Sequence, residues 1–134
     1  MTSLTRGFTL VELLVALVLL AILTMVALPS YNAYMTRSRR TDAITELMTI
    51  QSLQTRWRAN HPTYGSLTDL GMGATSAVGY YTLAITTPTA LAYTATATVV
   101  VGGRQASDSA CNALTLTEAG PDISTAAKQK CWNR

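Results

Sequence analysis

The sequence predicts an α+β protein: a long N-terminal α-helix, half membrane-spanning and half amphipathic, packed on an antiparallel sheet of three or four strands. Two patterns carry this. Residues 8–60 hold an apolar run that passes into an apolar repeat at three- and four-residue steps. Residues 81–86, 91–101 and 114–117 instead alternate apolar or small residues with Thr or Ala at a period of two, as half-buried strands do. The expected organisation is a polar leader over 1–7, a helix over 8–60 and a globular head over 61–134. The 134 residues suit one modest domain beyond the apolar run.

Hydrophobic residues make up 49% of the chain and charged residues 13%. The charged share is about half that of an ordinary soluble domain, so the chain has both an apolar segment and a neutral surface. The net charge of +3 is compatible with anionic polymers as partners. Two cysteines and one histidine cannot build the usual four-ligand zinc site. No nucleophile motif surrounds any serine, and no Gly-rich phosphate loop occurs. No catalytic residue, metal or cofactor is therefore expected.

Residues 1–7 are short and polar and carry one positive charge, Arg6. From Phe8 to Leu28 the chain is apolar except for Thr9, Glu12 and Thr24. That is about 21 residues, roughly 31 Å as a helix, enough to cross a hydrocarbon core. Three readings compete: a secretory signal peptide, a plain membrane anchor, or a precursor segment cut before the apolar run and then retained. The apolar core is long for a signal peptide, and no Ala-x-Ala site follows it. Glu12 separates the other two. A carboxylate in a membrane segment costs roughly 2.5–3.5 kcal/mol on insertion scales, and a plain anchor has no reason to carry one.

From Ser30 to Asn60 there is neither Gly nor Pro. Ala43, Ile44, Leu47, Ile50, Leu53, Gln54 and Trp57 form one helical stripe, with Trp57 expected in the core against the sheet. Asp42 and Glu46 share a side at an i,i+4 spacing. Asn60-His61-Pro62 is expected to end the helix, with His61 near its negative pole. Residues 62–79, with four glycines and Pro62, read as a loop. Strands are expected where Tyr81, Leu83 and Ile85 alternate with polar or small residues, again from Leu91 to Val101, and at Leu114–Thr117 before Gly120-Pro121. Residues 87–90 are the expected turn between the first two.

Gly7-Phe8-Thr9-Leu10-Val11-Glu12-Leu13-Leu14 resembles the type IV prepilin cleavage motif, and Pro29, Tyr31 and Tyr34 fall where type IVa pilins place a proline and two tyrosines. The resemblance implies that prepilin peptidase cuts between Gly7 and Phe8 and that the new Phe8 amine is methylated. It implies that Glu12 pairs with the Phe8 amine of a neighbouring subunit, which fits the need of each charge for a counter-charge in a water-free bundle. Phe8, Glu12 and Pro29 thereby become the assembly residues. Pro29 removes a helical hydrogen bond and bends the helix; the resemblance adds that the segment before it can lose helicity in assembled pili. Ala21 departs from the family here, since many relatives carry a helix-weakening glycine. Implied partners are other pilins in a homo-oligomeric or mixed filament, the prepilin peptidase, the inner-membrane assembly platform, and DNA or host and abiotic surfaces. The implied location is a single-pass inner-membrane protein before assembly and an extracellular pilus afterwards. Arg37, Arg39 and Arg40 then lie outside, against the positive-inside tendency; they read as a solvated helix face or as partners of acids such as Asp42 and Glu46.

With the head outside the cytoplasm, Cys111 and Cys131 are expected to form a disulfide. A C-terminal disulfide loop also resembles that of type IVa pilins. The run from Ala106 to Cys111, Leu114-Thr115-Leu116 and Cys131-Trp132 look most like small minor pilins, including the competence group. Three roles remain open: a structural pilin for adhesion and twitching, a minor pilin that captures DNA, and a secretion pseudopilin. For DNA, the candidates are Arg104, Lys128, Lys130, Trp132 and Arg134, basic groups with an aromatic near the cysteines. The alternative is a solvated rim with Trp132 covering the disulfide.

Overall fold

The computed structural model describes residues 7–86 and 88–132. The chain divides after Met35 into two units, and the division falls within the first helix.

That helix, α1, runs from Leu10 to Arg58 and passes through Pro29 without interruption. Its start is a capping box. Thr9 stands at the N-cap, and its hydroxyl accepts from the Glu12 amide at 3.2 Å. Glu12 reaches back, its carboxylate accepting from the Thr9 amide at 3.4 Å and hydroxyl at 3.3 Å. In the first unit, every large apolar side chain from Phe8 to Leu28 is exposed. This stretch is long and apolar enough to cross a membrane, with a mean hydropathy of 2.8 over its best window. Thr24, polar within it, donates its hydroxyl to the Leu20 and Ala21 carbonyls and so needs no outside partner.

In the second unit, the remaining α1 residues pack on a four-stranded antiparallel sheet in the order β1 (Tyr81–Thr86), β2 (Thr94–Val99), β3 (Ala113–Thr117), β4 (Gly120–Pro121). The register aligns Leu83, Ala97 and Leu114 across three strands, and Ile85, Ala95 and Leu116 in the next inward row. Small alanines on the middle strand between larger neighbours leave room for a helix to approach. Ala43, Leu47 and Ile50 of α1 share one buried cluster with these side chains. The outward rows are Thr82, Thr98 and Ala113, then Ala84, Thr96 and Thr115, then Thr86, Thr94 and Thr117. Threonine tolerates the half-exposed pleated face without adding charge.

Four sequence expectations need correction. The helix ends at Arg58, two residues before Asn60. There His61 turns back, its ring stacked on Trp57 at 3.6 Å and its Nδ1 3.0 Å from the Trp57 carbonyl. Trp57 is half-buried under that histidine and is not part of the core cluster. The second strand begins at Thr94, because Thr89 builds a tight turn by accepting from the Leu91 and Ala92 amides. Leu91 and Val101 continue the alternation in sequence but lie outside the strand and are 86% and 97% exposed.

Polar groups inside the head are paired across long separations. Gln54, buried on the apolar stripe, accepts from the Gly65 amide at 2.8 Å and donates to its carbonyl at 2.6 Å. Asp42 accepts from the Ser76 hydroxyl and Val78 amide, and Glu46 from the Ala77 amide, so both acids hold the loop before β1.

Burial pushes the Tyr81 hydroxyl from 10.0 up to about 12, with the Asp108 charge adding to it, and burial with Tyr64 beside it moves Tyr93 to about 12. A folded pKa raised above the unfolded one gives stability that is whole below pH 10 and lost as pH rises through 12. The denaturation midpoint, followed by tryptophan fluorescence, is expected to fall across that window. Both tyrosines act in the same direction. An unchanged midpoint from about pH 9 to 12 would contradict the burial of both hydroxyls.

Candidate functional site

One turn of α1 organises the basic part of the head. Thr36, Arg39 and Arg40 each meet a segment distant in sequence. The Arg40 guanidinium grips the Asp108 carboxylate with two bonds, Nε at 2.6 Å and Nη2 at 2.7 Å. Their side chains are 14% and 3% exposed, so water does little to weaken the pair. The Arg40 pKa is raised, chiefly by this hydrogen bond, against the opposing effect of burial. Gln105 donates to Asp108 at 2.9 Å and to the Thr36 carbonyl at 3.0 Å. Arg39 donates to the Arg104 carbonyl at 3.0 Å and lies over the Tyr80 ring. Arg40 also reaches the Lys130 carbonyl at 3.3 Å.

The other wall comes from the C-terminal segment. A short helix, α2 (Ala126–Cys131), is capped by Thr125, whose hydroxyl accepts from the Lys128 amide. Cys131 at its end is joined by a disulfide to Cys111, which closes the 3₁₀ turn Ser109–Cys111. Trp132, the next residue, is buried in the core cluster. A six-residue helix has little stability of its own, so the disulfide and Trp132 hold it in place.

Between these walls lies an open cleft of about 690 Å³, lined by Arg37, Arg40, Ala110, Cys111, Ala126, Ala127 and Lys130. Among the described residues, no side-chain carboxylate lines it. The head's acids are mostly committed elsewhere: Asp42 and Glu46 to the loop before β1, Asp69 to Ser66, Asp108 to Arg40, and Asp122 to Lys128. Arg37 and Lys130 are exposed, and among the described residues neither pairs with a carboxylate. Arg104 is exposed as well, and its backbone is fixed to Arg39, the neighbour of the cleft residue Arg40.

The expected nucleic-acid residues therefore separate. Lys130 lines the cleft, and Arg104 stands on a loop tied to the same turn of α1. Lys128 is engaged by Asp122 and Ser124; Lys128 first and Ser124 next hold the Asp122 carboxyl down to about 2. Trp132 is corrected: at 6% exposure it is a core side chain and has no face to offer a base. Arg134 lies outside the described residues. Arg37 is the addition. In the sequence it is one of three arginines on a helix face, and only the pairing of Arg40 with Asp108, 68 residues away, sets Arg37 apart as the lining arginine without a carboxylate partner among the described residues.

At the N-terminal end, the Glu12 carboxylate is held by Thr9, next to Phe8 in the chain. Gly7 and Phe8 are both exposed, and an added Cβ at Gly7 would meet nothing within 4 Å.

An apolar helix opening on this motif, and in the second unit a four-stranded antiparallel head closed by a C-terminal disulfide, are the features of a type IV pilin subunit. Residues 3–28 match the prokaryotic N-terminal methylation motif. The chain belongs to the family described as type IV minor pilin ComP, DNA uptake sequence receptor, whose model matches residues 29–115. It is similar to a fimbrial protein of Neisseria meningitidis serogroup B, 34% identical over 79 residues, covering 58% of this chain and 46% of that protein. It is also similar to the type IV major pilin protein PilE1 of Neisseria gonorrhoeae, 38% identical over 61 residues, covering 46% of this chain and 37% of that protein. The chain thus spans less than half the length of these relatives.

Proposed function

We propose that this chain is a minor pilus subunit whose head binds DNA in the cleft between α1 and α2. The observation that carries this is a cleft lined by Arg37 and Lys130, neither paired with a carboxylate among the described residues, and by the Asp108-paired Arg40, with no lining acid among the described residues and a further cation on the loop fixed beside it. Such a site attracts phosphate oxygens without an internal carboxylate to compete. The name of the matched family supports nucleic acid over other polyanions.

In this reading the chain is first a single-pass inner-membrane protein. Prepilin peptidase cuts it between Gly7 and Phe8, the Phe8 amine is methylated, and the inner-membrane platform builds it into an extracellular filament with other pilins. Glu12 supplies the counter-charge for a neighbour's Phe8 amine, and Pro29 marks the place where the helix adjusts on assembly. The exposure of the whole apolar run from Phe8 to Leu28 supports both states, lipid before assembly and other helices after it.

DNA binding is tested with the full chain in detergent and a short labelled duplex, measured as a function of salt. Removing one cation that touches a phosphate lowers the slope of log K against log salt by about one. Arg37→Gln with Lys130→Gln is expected to weaken binding at low salt and to reduce the slope by about two. Binding equal to that of the unsubstituted chain would place the interface elsewhere.

A further inference from the structure

We propose that Arg40, Asp108 and Gln105 are positioning residues of the DNA cleft: Asp108 and Gln105 lie behind its lining, Arg40 lines it with its guanidinium committed to Asp108, and together they set the spacing of the free cations. This rests on the reading of the cleft as a DNA site. The three form a chain that starts at the Thr36 carbonyl, passes through the Gln105 amide to Asp108, and ends on the two-pronged Arg40 contact. Arg40 then extends it to the Lys130 carbonyl, in the opposite wall. One turn of a rigid helix thus holds both the loop that carries Arg104 and the short helix that carries Lys130.

Two features set this network apart from an ordinary surface ion pair. Asp108 and Gln105 are almost fully buried, at 5% and 1% exposure, where an aspartate would be costly without partners. Beyond the Arg39 bond to the Arg104 carbonyl, the loop they anchor is held mainly by its own turns. It runs from Val100 through successive turns, Gly103 bonded to Val100, Ala106 to Gly103 and Asp108 to Gln105, and it belongs to no strand. The Tyr81 hydroxyl of β1 is buried but makes no hydrogen bond to this network among the described residues. The Gln105 Oε1 is likewise buried without a partner among the described residues.

Asp108 is an acid beside a cleft that attracts phosphate. If it acted only through its charge, replacing it with a neutral residue would strengthen DNA binding. As the anchor of the loop and of Arg40 it has the opposite effect. Its removal frees Arg40 and the loop that carries Arg104, and binding then carries the cost of ordering them.

The test compares Asp108→Asn and Arg40→Lys with the unsubstituted full chain in detergent, using the same short mixed-sequence duplex and salt series. Amide hydrogen exchange over residues 100–108 is measured on each. Asp108→Asn is expected to bind roughly tenfold more weakly, with a smaller salt slope, although its net charge is one unit more positive. Arg40→Lys keeps the charge but not the two-pronged fork, and is expected to show the same loss. Both are expected to lose amide protection in the loop. Tighter binding by Asp108→Asn would overturn the proposal, as would unchanged protection of the loop. If Asp108→Asn does not fold, Arg40→Lys decides in the same way. If the unsubstituted chain and the Arg37→Gln, Lys130→Gln variant bind the duplex alike, the DNA reading fails on its own. The exchange data then decide separately whether the network holds the loop.

Discussion

Glu12→Ala is expected to leave the chain in the membrane and to remove it from surface filaments. The substitution eases insertion, because a carboxylate in the apolar span costs roughly 2.5–3.5 kcal/mol. It also removes the far half of the capping box, a loss of about 1 kcal/mol at the start of α1, too small to unfold a helix of 49 residues. What it removes from the proposed filament is larger. A methylated Phe8 amine buried among apolar helices would then have no counter-charge, and breaking a buried pair by deleting one partner costs about 3–5 kcal/mol. Glu12→Gln separates the two roles. Glutamine still serves a capping box but carries no charge. If charge pairing governs assembly, the Gln variant fails as the Ala variant does. If capping governs it, Gln restores filaments. The assay compares sheared surface material with the membrane fraction. Normal amounts of filament from Glu12→Ala would count against the pairing role.

The second large effect is expected from removing the disulfide. Cys111→Ser with Cys131→Ser opens a loop of 20 residues' separation, which the chain-entropy account values at roughly 3 kcal/mol. In a head of this size that lowers the melting temperature by more than about 10 °C. The loss falls first on α2, which is too short to persist alone, and then on Trp132, whose burial completes the core cluster. Tryptophan fluorescence is the suitable probe, since Trp132 is buried and Trp57 lies half-buried beneath His61. The helix signal of the apolar unit in detergent would mask the change. Reduction of the unsubstituted chain is expected to reproduce the variant. An unchanged transition under oxidising conditions would show that the bridge contributes nothing to the head.

Much of the fold was legible because it is written in local periodicity. The stripe Ala43, Leu47 and Ile50 repeats at helical steps, and Tyr81, Leu83, Tyr93, Ala95 and Ala97 alternate as inward strand residues do. The register of the sheet follows once those faces are chosen. The N-terminal motif was legible for a different reason, since an acid within an apolar run is chemically conspicuous. The misread positions share one cause. Leu91 and Val101 keep the alternation, but the first sits in the turn around Thr89 and the second in the loop after β2, where the pattern no longer reports a pleat. Trp57 lies on the stripe just before the helix ends, and what covers it is His61, which turns back onto it.

The candidate site was legible only in part. Lys130 and Arg104 could be picked out as basic residues near the cysteines. That Lys128 is engaged by Asp122 depends on the turn into α2, a helix too short to announce itself. Trp132 was the strongest aromatic candidate for a base contact, and its adjacency to Cys131 is what places it inside: the bridge draws the end of α2 against the sheet. Arg37 and Arg40 are indistinguishable in sequence. Both line the cleft but Arg40 alone is fixed by Asp108, and a partner 68 residues away leaves no local trace.

The most direct test of the central claim is the intact mass and N-terminal sequence of this protein recovered from sheared surface filaments. The expected result is a chain that begins at Phe8 with a methylated amine, has lost residues 1–7, and carries the Cys111–Cys131 bridge. Recovery of a functional chain that still begins at Met1 would contradict that claim, and would leave α1 as a plain membrane anchor.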